Sequence, residues 1–143
     1  MLKANFITAQ EAAEKIQDGS TLCTIGMTLV SASESILKAI EKRFETVGHP
    51  VDITLVHSCG QSDRKDGIQH LAHEGLVKRI VGSHWGLQPR WMEMIANSQV
   101  EAYCLPQGQI AQLYRSMACG LPGKMSKVGL GTFIDPRVEG GKM

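Results

Sequence analysis

Two glutamines could bind a substrate, because each lies in a loop that follows a predicted strand. These residues are Gln61 and Gln107. A neutral amide offers two donors and one acceptor. It can therefore orient a carboxylate or polarise a carbonyl group, but it cannot act as a nucleophile or a general base. Pro106 and Gly108 flank Gln107 and favour a defined corner. Capping or bracing the loop is the alternative role for both amides.

The stretch Gly26–Ser35 is a third candidate, since it connects a predicted strand to a predicted helix. Backbone N–H groups near a helix N-terminus can hold an anion or a carbonyl oxygen. The stretch has neither the G-x-G-x-x-G pattern nor the lysine of a P-loop, which excludes the dinucleotide and nucleoside triphosphate sites built on those motifs. A plain strand-to-helix turn is the other interpretation.

Histidines offer weaker candidates. His70 and His73 are three residues apart and lack the H-E-x-x-H order of a zinc protease, so we predict a solvated helix face. His57 follows a strand, where a hydrogen-bonded structural histidine competes with a ligand-binding one. For His84 and Trp85, a ligand-facing role and interface packing both stay open.

Nucleophile and metal patterns are not recognisable. The sequence contains no evident Ser-His-Asp or Cys-His set, and we predict no metal site. The four cysteines have no C-x-x-C spacing, so we expect reduced thiols with mainly structural roles: Cys23, Cys59, Cys104 and Cys119.

Short apolar runs alternate along the chain with helical patterns. This alternation predicts an α/β fold with an open, mostly parallel sheet and helices on both faces. The predicted strands are Thr21–Ile25, which we expect to be buried, then Asp52–His57, Val77–Val81 and Val100–Leu105, with a last extended piece at Val128–Ile134.

Capping signals place the helices. Thr8 with Glu11 forms a capping box that predicts a helix over 9–17, and Ser31 with Glu34 predicts a second one. Pro89 suits the first turn of a helix over 90–96. Helices are also predicted over 68–74 and from about 110 to 118.

Size and composition bound the possible functions. The 143 residues suit one domain, 43% are hydrophobic and 20% charged, and the net charge is +1. These values argue against nucleic-acid and membrane partners. We see neither a spanning apolar run nor a signal-peptide core, so we expect a cytoplasmic protein.

The second half of the chain resembles the family I CoA-transferases. The stretch EAYCLPQGQIAQLYRSMACGLPG is similar to the family segment in which a strand runs through Pro-Gln-Gly into a helix, and VGLGTFIDPRVEGGK is similar to the Gly-x-Gly-Thr stretch of the fused acetate and short-chain acyl-CoA transferases. Weaker similarity extends back to ITAQEAAEKIQDGSTL. The resemblance implies the open parallel sheet shared with ribose-5-phosphate isomerase.

This resemblance also implies a reaction, the exchange of CoA from a short-chain acyl-CoA onto a free carboxylate. In the family a glutamate attacks the thioester, and a glutamyl-CoA thioester forms by way of an anhydride. Gln107 matches the Pro-Gln-Gly glutamine of the acyl pocket. Ser33 and Ser35 stand where the family commonly has proline and an oxyanion-hole asparagine. The implied substrate-binding residues are Gly26, Ser35, Gln61, Gln107 and Gly108.

We find no match here to the nucleophilic glutamate, which the resemblance places beyond Met143. We therefore expect residues 1–143 to form the amino-terminal (α-type) domain of a larger enzyme, inactive without its second half. Coenzyme A would be a substrate and no cofactor would be permanently bound; we also expect a homo-oligomer. The alternatives are a non-catalytic module that binds a small acid or CoA ester, and a relative of the sugar-phosphate isomerases.

Overall fold

A four-stranded parallel sheet forms the centre of the molecule. The computed structural model describes residues 4–143. Its strands stand in chain order, β1-β2-β3-β4, and every neighbouring pair is parallel. They are β1 (Thr21–Thr24), β2 (Ile53–His57), β3 (Val77–Gly82) and β4 (Glu101–Cys104). The predicted α/β class and parallel sheet are confirmed.

Helices connect the strands, as the sequence pattern indicated. They are α1 (Ala9–Glu14), α2 (Glu34–Val47), α3 (Pro89–Ala96) and α4 (Gln107–Ala118), and a 3-10 helix spans Gly67–Leu71. The capping box of Thr8 and Glu11 is present, and Pro89 occupies the first turn of α3. The segment predicted as a helix over 68–74 is instead the shorter 3-10 helix.

The second predicted capping box was wrong. Ser31 has a positive φ of 62° and stands outside the helix. Helix α2 begins at Glu34, after Ser33, whose side chain makes no capping bond. Glu34 is unavailable for a capping box because its carboxylate accepts from Gly67 N at 2.9 Å. A long-range contact therefore replaces the local one.

The main hydrophobic core lies on one face of the sheet. Ile53 and Leu55 of β2 and Ile80 of β3 pack there against Leu37 and Ile40 of α2. Trp91 of α3 is fully buried in the same cluster, and its indole N–H donates to Ile68 O at 2.9 Å. Strand β2, which is buried in this way, reads as an apolar run and could therefore be predicted.

Strand β1 differs from the prediction of a buried strand. It lies at the edge of the sheet, and Thr21 and Cys23 are exposed. On the face opposite Leu55, Val56 is buried outside the main core cluster. Ile110 of α4 is also buried outside that cluster, and α4 is tied to the sheet by Tyr114.

Residues 119–143 are irregular, with successive turns and bends over 128–141, so the extended piece predicted over 128–134 was wrong. This segment nevertheless reaches the outer edge of β4, where Tyr103 pairs with Lys142 in an antiparallel bridge. Cys104 N donates to Gly141 O at 2.7 Å, and Met143 N donates to Ala102 O at 2.9 Å. Among the described helices, none is both long and apolar enough to cross a membrane.

Candidate functional site

The four strands end side by side, and their carboxyl ends define the candidate site. Thr24 is in register with His57, and Gly82 with Cys104. The loops that follow the strands are therefore neighbours at one edge of the sheet. This is where open parallel sheets usually bind ligands.

The loop after β1 turns sharply at Gly26. Its φ is 141°, and a Cβ there would lie 2.9 Å from Val30 O. Met27 and Val30 exchange backbone hydrogen bonds of 3.1 and 2.9 Å, which close a small turn. Thr28 N donates to Gly60 O at 2.8 Å, so the first and second loops pack together. Gly26 is thus required for the path of this loop.

Gln61 lies inside the second loop and is fully buried. Its Nε2 donates to Thr24 O at 3.0 Å, and Tyr114 Oη contacts the same carbonyl oxygen at 3.0 Å. The amide therefore joins the end of β1 to the second loop. These contacts favour the bracing role, the alternative left open for Gln61. Its Oε1 has no hydrogen-bond partner among residues 4–143.

A second buried glutamine, Gln88, braces the third loop. No motif or spacing in the sequence indicated this role. In the amide orientation that pairs all its atoms, Gln88 accepts from Gln61 N at 3.0 Å and donates to Trp85 O and His84 O, both at 3.1 Å. Ser83 Oγ also donates to Ser58 O at 2.7 Å. The three loops consequently form one hydrogen-bonded unit.

His57 is buried at the end of β2. Its Nδ1 donates to Cys59 O at 2.7 Å, so Nε2 is the unprotonated nitrogen. The pKa of His57 is lowered to about 4, mainly by burial; the bond to Cys59 O opposes this shift and the nearby His84 adds to it. The ring also packs edge-on against Trp85, with centroids 6.1 Å apart. These contacts favour a hydrogen-bonded structural role for His57 over a ligand-binding one.

Gln107 is the first residue of α4 and is exposed, as is Gly108. Gln107 borders a hollow of about 370 Å³ together with Ser83, His84 and Phe133. The first N–H groups of a helix have no partner within the helix. This hollow therefore combines a free primary amide, helix N–H donors and an exposed imidazole, a set suited to a carboxylate or a thioester oxygen.

Ser35 occupies a different place. It is exposed in the first turn of α2 and borders a groove together with Gln10 of α1 and Thr8, which caps α1. The structure brings Gly26 and Gln61 into adjoining loops and places Gln107 with His84 around another hollow. Ser35 faces α1 instead.

His70 and His73 are not on a solvated face, contrary to prediction. His70 Nε2 lies 2.8 Å from Glu34 Oε1, and its Nδ1 contacts Glu41. His73 Nε2 lies 2.9 Å from the other oxygen of Glu41. Burial opposes protonation of His70, but its bonds to Glu41 and Glu34 and their charges outweigh burial and raise the pKa.

This ion-pair cluster contains further groups that sequence spacing did not connect. Ligand atoms of Glu34, Asp66 and His70 lie close enough together to hold a metal ion. Lys38 Nζ lies among them, 3.1 Å from Glu34 Oε1 and 3.3 Å from Asp66 Oδ1. The ammonium group thus supplies positive charge to the cluster, and the expectation of no bound metal stays a prediction.

Comparison with known proteins identifies the family. The model of the Coenzyme A transferase family matches residues 6–142, nearly the whole chain. The chain belongs to the coenzyme A transferase family. This finding confirms the resemblance that the Pro-Gln-Gly and Gly-x-Gly-Thr segments suggested.

Individual members of the coenzyme A transferase family agree with this assignment. The caffeate CoA-transferase of Acetobacterium woodii is 42% identical over 98% of this chain, and the acetate CoA-transferase YdiF of Escherichia coli K12 is 37% identical over 96%. The crystal structure of the acyl-CoA transferase YdiF from E. coli O157:H7, a thioester complex with CoA, superimposes with a TM-score of 0.88 at 36% identity. That match covers 96% of this chain and 28% of that one. The chain spans only about a quarter of its curated relatives, 27% and 26% of their lengths.

Proposed function

We propose that this chain is the amino-terminal, acyl-binding part of a CoA-transferase that moves CoA from a short-chain acyl-CoA to a free carboxylate. The observation that carries the proposal is the hollow at the start of α4, where the exposed Gln107 lies beside the first N–H groups of the helix. Such neutral donors can stabilise an oxyanion without adding a competing charge.

In this proposal the nucleophile is a glutamate outside the chain, on a further segment of the same polypeptide or on a second subunit. Its carboxylate attacks the thioester carbonyl, and the CoA thiolate leaves as the anhydride forms. The thiolate then attacks the glutamyl carbonyl, which releases the free acid and leaves a glutamyl-CoA thioester. Negative charge develops on a carbonyl oxygen in each step, and in this proposal the Gln107 amide and the N–H of Gly108 donate to it.

The other proposed substrate residues have supporting roles. Gly26 shapes the loop after β1, and Gln61 holds that loop against the next one through Thr24 O at 3.0 Å. Ser35, in the position of the family's asparagine, would reach the acyl group only through a rearrangement at the start of α2. Coenzyme A is a substrate in this proposal, with no permanently bound cofactor, and the protein is a cytoplasmic homo-oligomer.

A Gln107→Ala variant tests the proposal, with Gln112→Ala as its matched control. Both glutamines are exposed on α4. CoA transfer from acetyl-CoA to butyrate is measured together with urea unfolding. We expect Gln107→Ala to lower kcat about 100-fold, as for loss of an oxyanion donor. Both variants should unfold like the parent protein.

Two outcomes would contradict the proposal. Full turnover by Gln107→Ala would remove the glutamine from the site, and strong destabilisation would restore the bracing interpretation. The 143-residue chain alone should show no CoA transfer. A thermal shift of this chain with acyl-CoA, combined with no turnover after the second part is added, would favour the non-catalytic binding module.

A further inference from the structure

An apolar cavity of about 340 Å³ separates α4 from the segment 124–136. This volume is in the range of small-molecule pockets, roughly 300–1,000 Å³. Polar groups, including Lys124 and Ser126, are also among its lining residues. Its main apolar walls are Leu105, Ile110, Leu113, Val128, Leu130 and Ile134.

This cavity adjoins the hollow that contains Gln107. Both are bordered by the same three residues, Leu105, Pro106 and Ile134. A carboxyl group bound at Gln107 would therefore have an apolar space next to it. A two-carbon acid would leave that space to water, whereas a longer tail could extend into it.

The outer wall of the cavity is anchored by internal bonds. Asp135 is 1% exposed and accepts from Gly131 N at 2.8 Å and from Arg137 Nη2 at 2.6 Å. Gly141 N donates to Phe133 O at 3.1 Å, and Gly141 O accepts from Cys104 N at 2.7 Å. The wall is thus tied to the edge strand β4, so the cavity exists before any ligand arrives.

We propose that this cavity, named here the tail pocket, holds the hydrocarbon tail of the acid or acyl group whose carbonyl carbon lies at Gln107. The inference rests on the proposed CoA-transferase function and narrows its substrate class to acids with an apolar chain or an aryl group. Burial of a methylene group is worth about fourfold in affinity. The tail pocket therefore favours hexanoate or 3-phenylpropanoate over acetate.

The tail pocket can be filled by mutation at Val128. This residue lines the pocket and is 57% exposed, so a larger side chain can enter the space without disturbing the core. Val138, two residues beyond the segment 124–136, is 63% exposed and is not among the pocket's lining residues. The pair Val128→Trp and Val138→Trp therefore changes size equally at two comparable surface positions. Val128→Phe is the milder substitute if circular dichroism shows that the Trp variant is unfolded.

The experiment measures kcat/KM of the native enzyme for acetate, butyrate, hexanoate and 3-phenylpropanoate. We expect the parent value to rise with tail length. Val128→Trp should lower the ratio of kcat/KM for hexanoate or 3-phenylpropanoate to kcat/KM for acetate at least tenfold. Val138→Trp should behave as the parent. In parallel, saturation-transfer NMR measures 3-phenylpropanoate binding to the 143-residue chain.

The experiment distinguishes an error in the tail-pocket proposal from an error in the proposed CoA-transferase function. If acetate is a substrate but tail length has no effect, or if Val128→Trp leaves the length dependence intact, the tail pocket is refuted and the CoA-transferase function stands. Such a result is expected if another part of a longer protein fills the cavity. If no acid accepts CoA, the proposed function is refuted. The NMR measurement then decides: binding that Val128→Trp abolishes supports the pocket, and any other result overturns it.

Discussion

The imidazole ring of His57 lies where a side chain at Gly82 would be. A Cβ built on Gly82 would overlap the His57 ring. The two residues stand at the carboxyl ends of neighbouring strands, β2 and β3. The absence of a side chain on one strand is therefore what allows a buried histidine on the next, and the ring in turn bonds the loop at Cys59.

Gly82→Ala should destabilise the protein by about 2 kcal/mol, because overpacking a filled site forces side chains and backbone to shift. Urea unfolding measures the effect. Gly108→Ala is the control, since a Cβ at Gly108 meets nothing within 4 Å. Alanine in that helical turn should be neutral or stabilise by up to about 1 kcal/mol. Equal stability of the two variants would contradict the prediction, because it would show that the His57 ring can move aside at little cost in free energy.

His57 should make the protein less stable in weak acid. Its pKa is about 4 in the folded protein, whereas an unfolded histidine titrates near 6.5. Above pH 6.5 both states are neutral; below it only the unfolded state takes up the proton, so stability falls until about pH 4. The loss is on the order of 3 kcal/mol. His57→Gln should lack this component, and an unchanged pH slope in that variant would refute the assignment.

His70 should act in the opposite direction. Its pKa is raised in the folded protein by Glu41 and Glu34, so its stabilising effect is complete below the unfolded pKa of about 6.5 and is lost as the pH rises through the folded value. At pH 6, His70→Gln should cost about 1–2 kcal/mol relative to the parent, and the difference should shrink toward pH 9. His49→Gln is the control, because its pair with Asp18 is half exposed and should contribute little. A pH-independent effect of His70→Gln would indicate a packing role.

Tyr114→Phe should lower stability by about 1 kcal/mol, the value of a typical hydrogen bond. The hydroxyl of Tyr114 reaches Thr24 O at 3.0 Å and Val56 O at 3.1 Å, which ties α4 to two strands. Burial raises the pKa of Tyr114 to about 12. Tyrosinate absorbance should therefore show Tyr114 ionising at higher pH than a free tyrosine, and titration near pH 10 would contradict its half-buried position.

Local signals predicted much of the fold. Strand β2 could be located because both of its faces are covered, which leaves a nearly continuous apolar run in the sequence. In β3 the exposed Lys78 and Arg79 interrupt that run. The first helix could be placed because the bonds between Thr8 and Glu11 lie within one turn. Chain order alone did not reveal that β1 is an edge strand, since its apolar residues resemble those of a buried one.

Parts of the candidate site that depend on distant contacts could not be predicted. Gln61 and Gln107 look alike in sequence, yet one is buried against Thr24 O and the other is exposed at a helix start. His70 contacts Glu41, which is 29 residues away in the sequence, and no helical or strand spacing predicts that contact. The tail pocket depends on the turns around Asp135, which have neither helical nor strand spacing.

The bridge between Tyr103 and Lys142 implies that the outer wall of the tail pocket forms late in folding. The edge of β4 must exist before residues 137–143 can pair with it, because an isolated bridge offers too little to nucleate structure by itself. During synthesis the amino-terminal regions are also available first. A nascent chain would therefore complete its sheet and its buried glutamine braces while the ligand cavity still lacks an outer wall. Residues 124–136 should therefore stay open to protease cleavage after the sheet has become protected, so the outer wall of the cavity is the last part of the domain to mature.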